Sequence, residues 1–161
     1  MIVPEAGDIF SATVSLRSNF AIHHLRVAIR DTLSAHAVEQ ANDATKYGTW
    51  FDDMMMNVPV SVVMAAAALE ANSNEIIQDI LDRPAQMQLT DSLKALLKDL
   101  KDDRSGNAMG KYRTLALILD KIPGTGTAAW QNAVLLFKFR NSFMHFKPAW
   151  DLVGPPNGYT R

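Results

Sequence analysis

The residues of this chain whose types best suit catalysis lie together near its C-terminal end. The segment 140–145 reads Arg-Asn-Ser-Phe-Met-His and comes shortly before Pro148. The guanidinium of Arg140 stays charged and matches the oxygens of a phosphate whose charge rises in a transition state. The imidazole of His145 can take up or release a proton, and Asn141 would orient that imidazole or the phosphate. The chemistry that these residues suit is cleavage of a phosphodiester.

The spacing of these residues bears on how they could act together. On a continuous helix, Arg140 and His145 are separated by about 7.5 Å of rise and roughly 140° of rotation, whereas Asn141 and His145 differ by about 40°. Convergence requires the long reach of Arg140, an unwound last turn before Pro148, or a second copy of the helix. Attack by an RNA 2′-hydroxyl also needs both a base and an acid, which two copies of His145 would supply. The sequence therefore predicts a homodimer with the site at its interface.

The neighbouring charges favour RNA as the substrate. Residues 138–147 contain Lys138, Arg140 and Lys147 and no acidic residue, although the whole chain has a net charge of -1. This local basic patch predicts phosphate contacts for Lys138 and Lys147. A plainer interpretation exists, because Lys, Arg and His are favoured in a last helical turn, where they complement the helix dipole. From spacing alone, the plainer interpretation is the more economical.

Five helices are expected to position these groups, because proline and glycine fall at junctions between segments of helical periodicity. The expected helices run from about Asn19 to Ala41, from Pro59 to Leu81, from Asp91 to Lys101 with Thr90 as N-cap, over Met109–Ile122, and from Thr127 to His145. Residues 47–57 are expected to form a loop. Residues 148–161 are expected to be an irregular tail, and the segment before Asn19 either a short strand or an irregular stretch. The predicted fold is a single all-α domain over residues 1–161, an antiparallel helical bundle.

Polar residues interrupt the apolar stripes of two of these helices. Glu70 and Asn74 fall on the stripe of the second helix, and Arg140 and Asn141 fall on two adjacent rows of the fifth. A charged group on such a row needs a partner or a wet cleft. We expect Glu70 to pair with or orient Arg140, and Asn74 to hold a neighbouring backbone or side-chain group. The alternative is that both helices rotate to expose these residues.

Composition excludes several classes of function. The chain has 161 residues, of which 48% are hydrophobic and 20% charged, and it has no cysteine. Disulfides, thiolate metal sites and cysteine nucleophiles are therefore excluded. The histidines lack the spacing of a helical metal site, so no metal and no cofactor are predicted. The N-terminus lacks the pattern of a secretory signal, and the longest apolar run, residues 58–69, is shorter than the ~20 residues needed to cross a bilayer. We expect a cytoplasmic protein without a membrane partner.

Two segments together resemble a known family. Arg140-Asn141 followed by three residues and His145, near the end of the last long helix, is similar to the signature of the HEPN family (higher eukaryotes and prokaryotes nucleotide-binding domains). Residues 68–76, Ala-Leu-Glu-Ala-Asn-Ser-Asn-Glu-Ile, resemble a Glu-Ala-x-x-Asn-Glu pattern in an earlier helix of such domains. The resemblance covers roughly residues 58–148.

The resemblance implies a dimeric helical bundle that acts as a metal-independent endoribonuclease, with a role as a toxin or a stress or defence effector. It assigns the active-site positions to Arg140, Asn141 and His145, with Glu70 and Asn74 in support. It also implies RNA as a partner and allows for an antitoxin or regulatory protein. One branch of the family has a tyrosine two residues after the histidine, where this chain has Lys147. The family also contains inactive members, so the alternative is a non-catalytic module that binds RNA, a nucleotide or a protein.

Overall fold

The computed structural model describes residues 18–43, 46, 48–103 and 108–145 of the chain. These residues form five α-helices and no β-strand, which confirms the predicted all-α helical bundle. The helices are α1 (Phe20–Ala41), α2 (Thr49–Asp82), α3 (Asp91–Asp102), α4 (Ala108–Ile118) and α5 (Ala128–Met144). The expected N-terminal segment, the tail over residues 148–161, and the expectations for Lys147 and Pro148 lie outside the described residues.

Side-chain caps fix where three of the helices begin. The Asn19 side chain accepts a hydrogen bond from the Ile22 N–H, and Thr90 and Thr127 cap α3 and α5 in the same way. Each cap satisfies one of the backbone donors that the first turn of a helix leaves unpaired. The predicted cap at Thr90 is confirmed.

The predicted loop over residues 47–57 is wrong, because α2 already begins at Thr49. Pro59 was expected in the first turn of this helix but lies inside it, more than two turns from the start. Proline removes one intrahelical hydrogen bond there, yet the three methionines at 54–56 are good helix formers. Two side chains also bond to backbone carbonyls here, Trp50 Nε1 to Lys46 and Asn57 Nδ2 to Asp53.

The core forms around the C-terminal two thirds of α2, which contacts each of the other four helices. One cluster of buried side chains joins Ile77 and Ile80 of α2 to Leu97 of α3 and Leu115 of α4. A second joins Ala66 of α2 to Ala108 of α4 and Phe137 of α5. The order of these contacts along the chain shows that α4 runs in the same direction as α2, so the predicted antiparallel arrangement does not hold for this pair of helices. The α1 helix runs opposite to α2, since its first turn lies beside Glu75.

The fourth helix ends earlier than the predicted Ile122, at Ile118. Asp120 adopts the left-handed conformation with φ of 52°, the Lys121 N–H bonds to the Ala116 carbonyl, and the Asp120 N–H bonds to the Leu117 carbonyl. These bonds are those of a Schellman motif, in which a left-handed residue ends the helix. Ile122, which was expected on the apolar stripe, is 95% exposed.

Replacing Asp120 with glycine is expected to stabilise the protein. The left-handed backbone conformation is sterically unfavourable for any residue that has a Cβ atom, and glycine avoids this cost. We therefore expect the free energy of unfolding to rise by about 0.5 kcal/mol. Urea denaturation would measure it. The matched control is Asp99→Gly in α3, which should lower the free energy of unfolding by about 0.3 kcal/mol, the difference in helix propensity between the two residues. An unchanged or lower stability of Asp120→Gly would contradict the expectation.

Of the described helices, α2 is the one long and apolar enough to cross a membrane by length and composition. An 18-residue window of it has a mean hydropathy of 1.5, and 11% of that window is buried inside the fold. The apolar run over residues 58–69 was expected to be too short to cross a bilayer, but in the structure it is part of a 34-residue helix. The central helix of a soluble bundle meets the same two criteria, and cytoplasmic location stays a prediction.

Candidate functional site

The α5 helix carries the candidate residues from its middle to its C-terminal end. Its last helical residue is Met144, and His145 is the C-cap, whose N–H bonds to the Asn141 carbonyl at 3.0 Å. The helix packs on α2 through Phe137, which is 8% exposed and lies in the cluster with Ala66. This contact sets the rotation of α5, and with it the direction in which each candidate side chain points.

Arg140 and Glu70 form an ion pair that joins α5 to α2. Arg140 Nη2 donates to Glu70 Oε1 at 2.8 Å, across 70 residues of sequence. The two residues lie one turn along their helices from Phe137 and Ala66, so the packing contact and the ion pair are successive contacts of the same helix pair. The predicted pairing of Glu70 with Arg140 is confirmed.

The surroundings of Arg140 are partly closed. Its guanidinium carbon lies 5.5 Å from the centre of the Phe137 ring, a cation–π distance. Its Nε is buried and has no hydrogen-bond partner among the described residues. The Arg140 side chain is 30% exposed and that of Glu70 is 43% exposed, so the pair lies at the solvent edge of the α2–α5 contact. A guanidinium in this position keeps donor atoms within reach of a bound anion.

The other candidates of α5 lie on its outward side. Lys138, Asn141 and His145 are all exposed and fall within about 60° of one another on the helix, whereas Arg140 lies on the side that faces α2. Within one chain the structure therefore brings Asn141 and His145 together and leaves Arg140 apart from them. The His145 imidazole makes no hydrogen bond within the described part of the chain, so it does not cap the carbonyls of its own helix there.

Asn74 holds the side chain of a buried lysine that sequence reasoning missed. Lys111 is 5% exposed, and its Nζ donates to Asn74 Oδ1 at 2.8 Å and to the Lys101 carbonyl at 3.2 Å. The expectation that Asn74 holds a neighbouring group is confirmed. The sequence does carry a signal for Lys111, because it stands between Ala108 and Leu115 at the helical spacing of buried residues.

Tyr112 braces the same part of α2 from α4. Its hydroxyl lies 2.7 Å from Asn72 Oδ1 and 3.1 Å from the Leu69 carbonyl, and its single proton is shared between these two acceptors. Burial, together with the negative charge of Glu75, raises the pKa of Tyr112 to about 12. The residues on either side of Glu70 are thus held by α4 while Glu70 itself is bound from α5.

The raised pKa of Tyr112 predicts a loss of stability at alkaline pH. The unfolded chain loses the phenol proton near pH 10 and the folded chain only near pH 12, so the contribution is complete below pH 10 and is lost as pH rises to 12. Tyr112→Phe should cost about 1 kcal/mol at pH 8, where the hydroxyl bonds are intact. The cost should shrink at pH 11. Urea denaturation of both proteins at the two pH values measures this, and a constant difference would contradict it.

The described residues contain no group of three or more His, Asp and Glu side chains that could hold a metal ion. No family model, curated protein or solved structure shows a significant match to this chain.

Proposed function

We propose that this protein is a metal-independent endoribonuclease of HEPN type that cleaves single-stranded RNA at the interface of a homodimer. We further propose that it acts in the cytoplasm as a toxin or a stress or defence effector. The observation that supports the proposal most is the 2.8 Å ion pair between Glu70 and Arg140. It joins the two separate segments of sequence that resemble the family.

The proposed reaction uses the 2′-hydroxyl of the RNA as its nucleophile. One imidazole takes the proton from that hydroxyl, and its oxygen forms a bond to the adjacent phosphorus. The bond from phosphorus to the 5′ oxygen breaks, and a second imidazole gives that oxygen a proton. The products are a 2′,3′-cyclic phosphate and a free 5′-hydroxyl. Arg140 stabilises the phosphate as its charge rises, and Lys138 binds the backbone beside it.

The second copy is needed because the single His145 of one chain cannot be both the base and the acid of this reaction. An exposed apolar row follows the outer side of this helix, in which Leu135 is 48% exposed and Phe139 is 50% exposed. Around the helix axis the row lies about 60–100° from Lys138 and about 80–120° from His145. A second copy packed against this row would bring another His145 close to the first and would remove the apolar surface from water.

Phe139→Glu tests this arrangement. The variant keeps the fold, since Phe139 is half exposed, and places a charge in the proposed interface. We expect a monomer by analytical ultracentrifugation, together with loss of RNA cleavage. The matched control is Gln40→Glu, which adds the same charge at an exposed position near the end of α1, away from this row. A wild-type protein that is monomeric and active would overturn the proposed interface.

RNA cleavage itself is tested by incubating the purified protein with 5′-labelled single-stranded RNA in excess EDTA. We expect cleavage, products that end in 2′,3′-cyclic phosphate, and no cleavage by Arg140→Ala. Binding of RNA without cleavage would support the alternative, a non-catalytic HEPN-like module that binds RNA, a nucleotide or a protein partner. If the protein neither binds nor cleaves RNA, and Arg140→Ala changes its stability alone, then the Glu70–Arg140 pair is only a structural contact.

A further inference from the structure

An open groove of about 540 Å³ lies between α1, α2 and the middle of α5. Its walls are apolar, with Ile22 and Leu25 from α1, Ala65 and Leu69 from α2, and Leu136 from α5. The volume falls in the range of about 300–1,000 Å³ that small-molecule sites occupy. The groove is separate from the outward side of α5 that carries Asn141 and His145.

One end of the groove carries two side-chain amides, Asn19 and Asn72. The oxygen of Asn19 is already bonded to the Ile22 N–H at 3.0 Å, and the oxygen of Asn72 is bonded to the Tyr112 hydroxyl at 2.7 Å. No described residue accepts a hydrogen bond from either Nδ2. Because both oxygens already accept hydrogen bonds, each amide offers its NH₂ group, so this end of the groove presents hydrogen-bond donors.

The lining of the groove limits what those donors can bind. None of the described residues that line it carries a charge, so a carboxylate or ammonium head group would lose its hydration there without a counter-charge. An ammonium ligand would also offer the amides no acceptor. A neutral carbonyl oxygen satisfies the donors without an unfavourable charge.

We propose that this groove binds a small neutral amphiphile with a carbonyl oxygen at its head and a hydrocarbon chain as its body. The carbonyl accepts hydrogen bonds from Asn19 and Asn72, and the chain lies along Leu25, Ala65 and Leu136. The ligand class is that of primary amides and ketones with medium-length chains. This site is independent of RNA cleavage and uses none of the residues assigned to it.

Calorimetric titration of the full-length protein with three ligands of equal chain length tests the head-group preference. The probes are octanamide, octanoate and octylammonium. We expect octanamide to bind about tenfold more tightly than either ion, the difference that one or two hydrogen bonds supply. Equal affinities would overturn the role of the amides, and tighter binding of either ion would overturn the neutral ligand class. Absence of binding by all three ligands would overturn the site. The same result is expected if another part of the chain or a second copy fills the groove.

Asn19→Asp tests the donor directly, because aspartate keeps the N-cap oxygen of α1 but replaces the NH₂ group with an acceptor. We expect an unchanged melting temperature and about tenfold weaker octanamide binding. Equal octanamide binding by the variant would contradict the proposal.

Ala65→Phe tests the body of the groove by filling it, and should weaken octanamide binding by about tenfold or more. The matched control is Ala37→Phe, which adds the same ring at an exposed position of α1 far from the groove and should leave binding unchanged. Leu25→Gln serves as a second variant, since Leu25 is 49% exposed and its replacement spares the fold. Binding that survives both Ala65→Phe and Leu25→Gln would show that the ligand lies elsewhere.

Discussion

His145→Ala is expected to lower the rate of RNA cleavage by about 10²–10⁴-fold, the contribution of a positioned acid or base. The imidazole is exposed and makes no hydrogen bond within the described residues, so its removal should hardly change the fold. The free energy of unfolding should change by less than about 1 kcal/mol, the upper range of a helix-end cation at an exposed site. Single-turnover cleavage of labelled RNA and urea denaturation measure the two effects.

The two measurements separate the two roles that the sequence leaves open for His145. A large loss of cleavage at constant stability is expected of a catalytic residue, whereas a stability loss with full cleavage is expected of a helix-end cation. His36→Ala is the matched control, because His36 is also an exposed helical histidine and lies on α1, far along the sequence from the site. Equal effects of the two variants on cleavage would remove His145 from the mechanism.

Glu70→Ala is expected to have the second largest effect, through both stability and activity. It removes the one carboxylate bonded to Arg140, whose Nε is already buried without a partner in the described structure. Loss of the pair should cost about 1–2 kcal/mol, less than for a fully buried pair because both side chains reach solvent. The guanidinium would lose its fixed orientation, and RNA cleavage should fall by about tenfold.

Glu70→Gln distinguishes positioning from charge. Glutamine keeps an oxygen that can accept from Arg140 Nη2, so it should restore most of the stability and part of the cleavage lost in Glu70→Ala. The control for loss of a carboxylate from α2 is Asp53→Ala, at an exposed position in the first turns of that helix, which should leave both quantities unchanged. If Glu70→Ala matched Asp53→Ala, the ion pair would have no role in either property.

The number of helices and their order along the chain could largely be predicted. Asn19 and Thr90 stand where a helix needs a side-chain acceptor, and apolar periodicity indicates a helix in each segment. The Glu70–Arg140 pair was also predictable, because a charge on an apolar stripe must find a partner, and each stripe carried one of opposite sign.

Other features could not be read from local patterns. Pro59 is compatible with the start or the interior of a helix, and only the hydrogen bonds of residues 50–57 decide between the two. Lys111 and Tyr112 reach α2 with long side chains whose direction depends on how α4 is rotated against it. The position of Arg140 relative to His145 likewise depends on how α5 packs on α2 and on a second copy.

The concentration of contacts on residues 69–75 of α2 has a consequence for how this chain can vary in length. Within two turns, Leu69, Glu70 and Asn72 to Glu75 meet α1, α4 and α5. Inserting or deleting one residue here would rotate the part of α2 on one side of the change by about 100° relative to the other part. Either α1 or α5 could then keep its contacts with α2, but not both. Natural variants that gain or lose residues should therefore do so between α3 and α4 or between α4 and α5, and never in this part of α2.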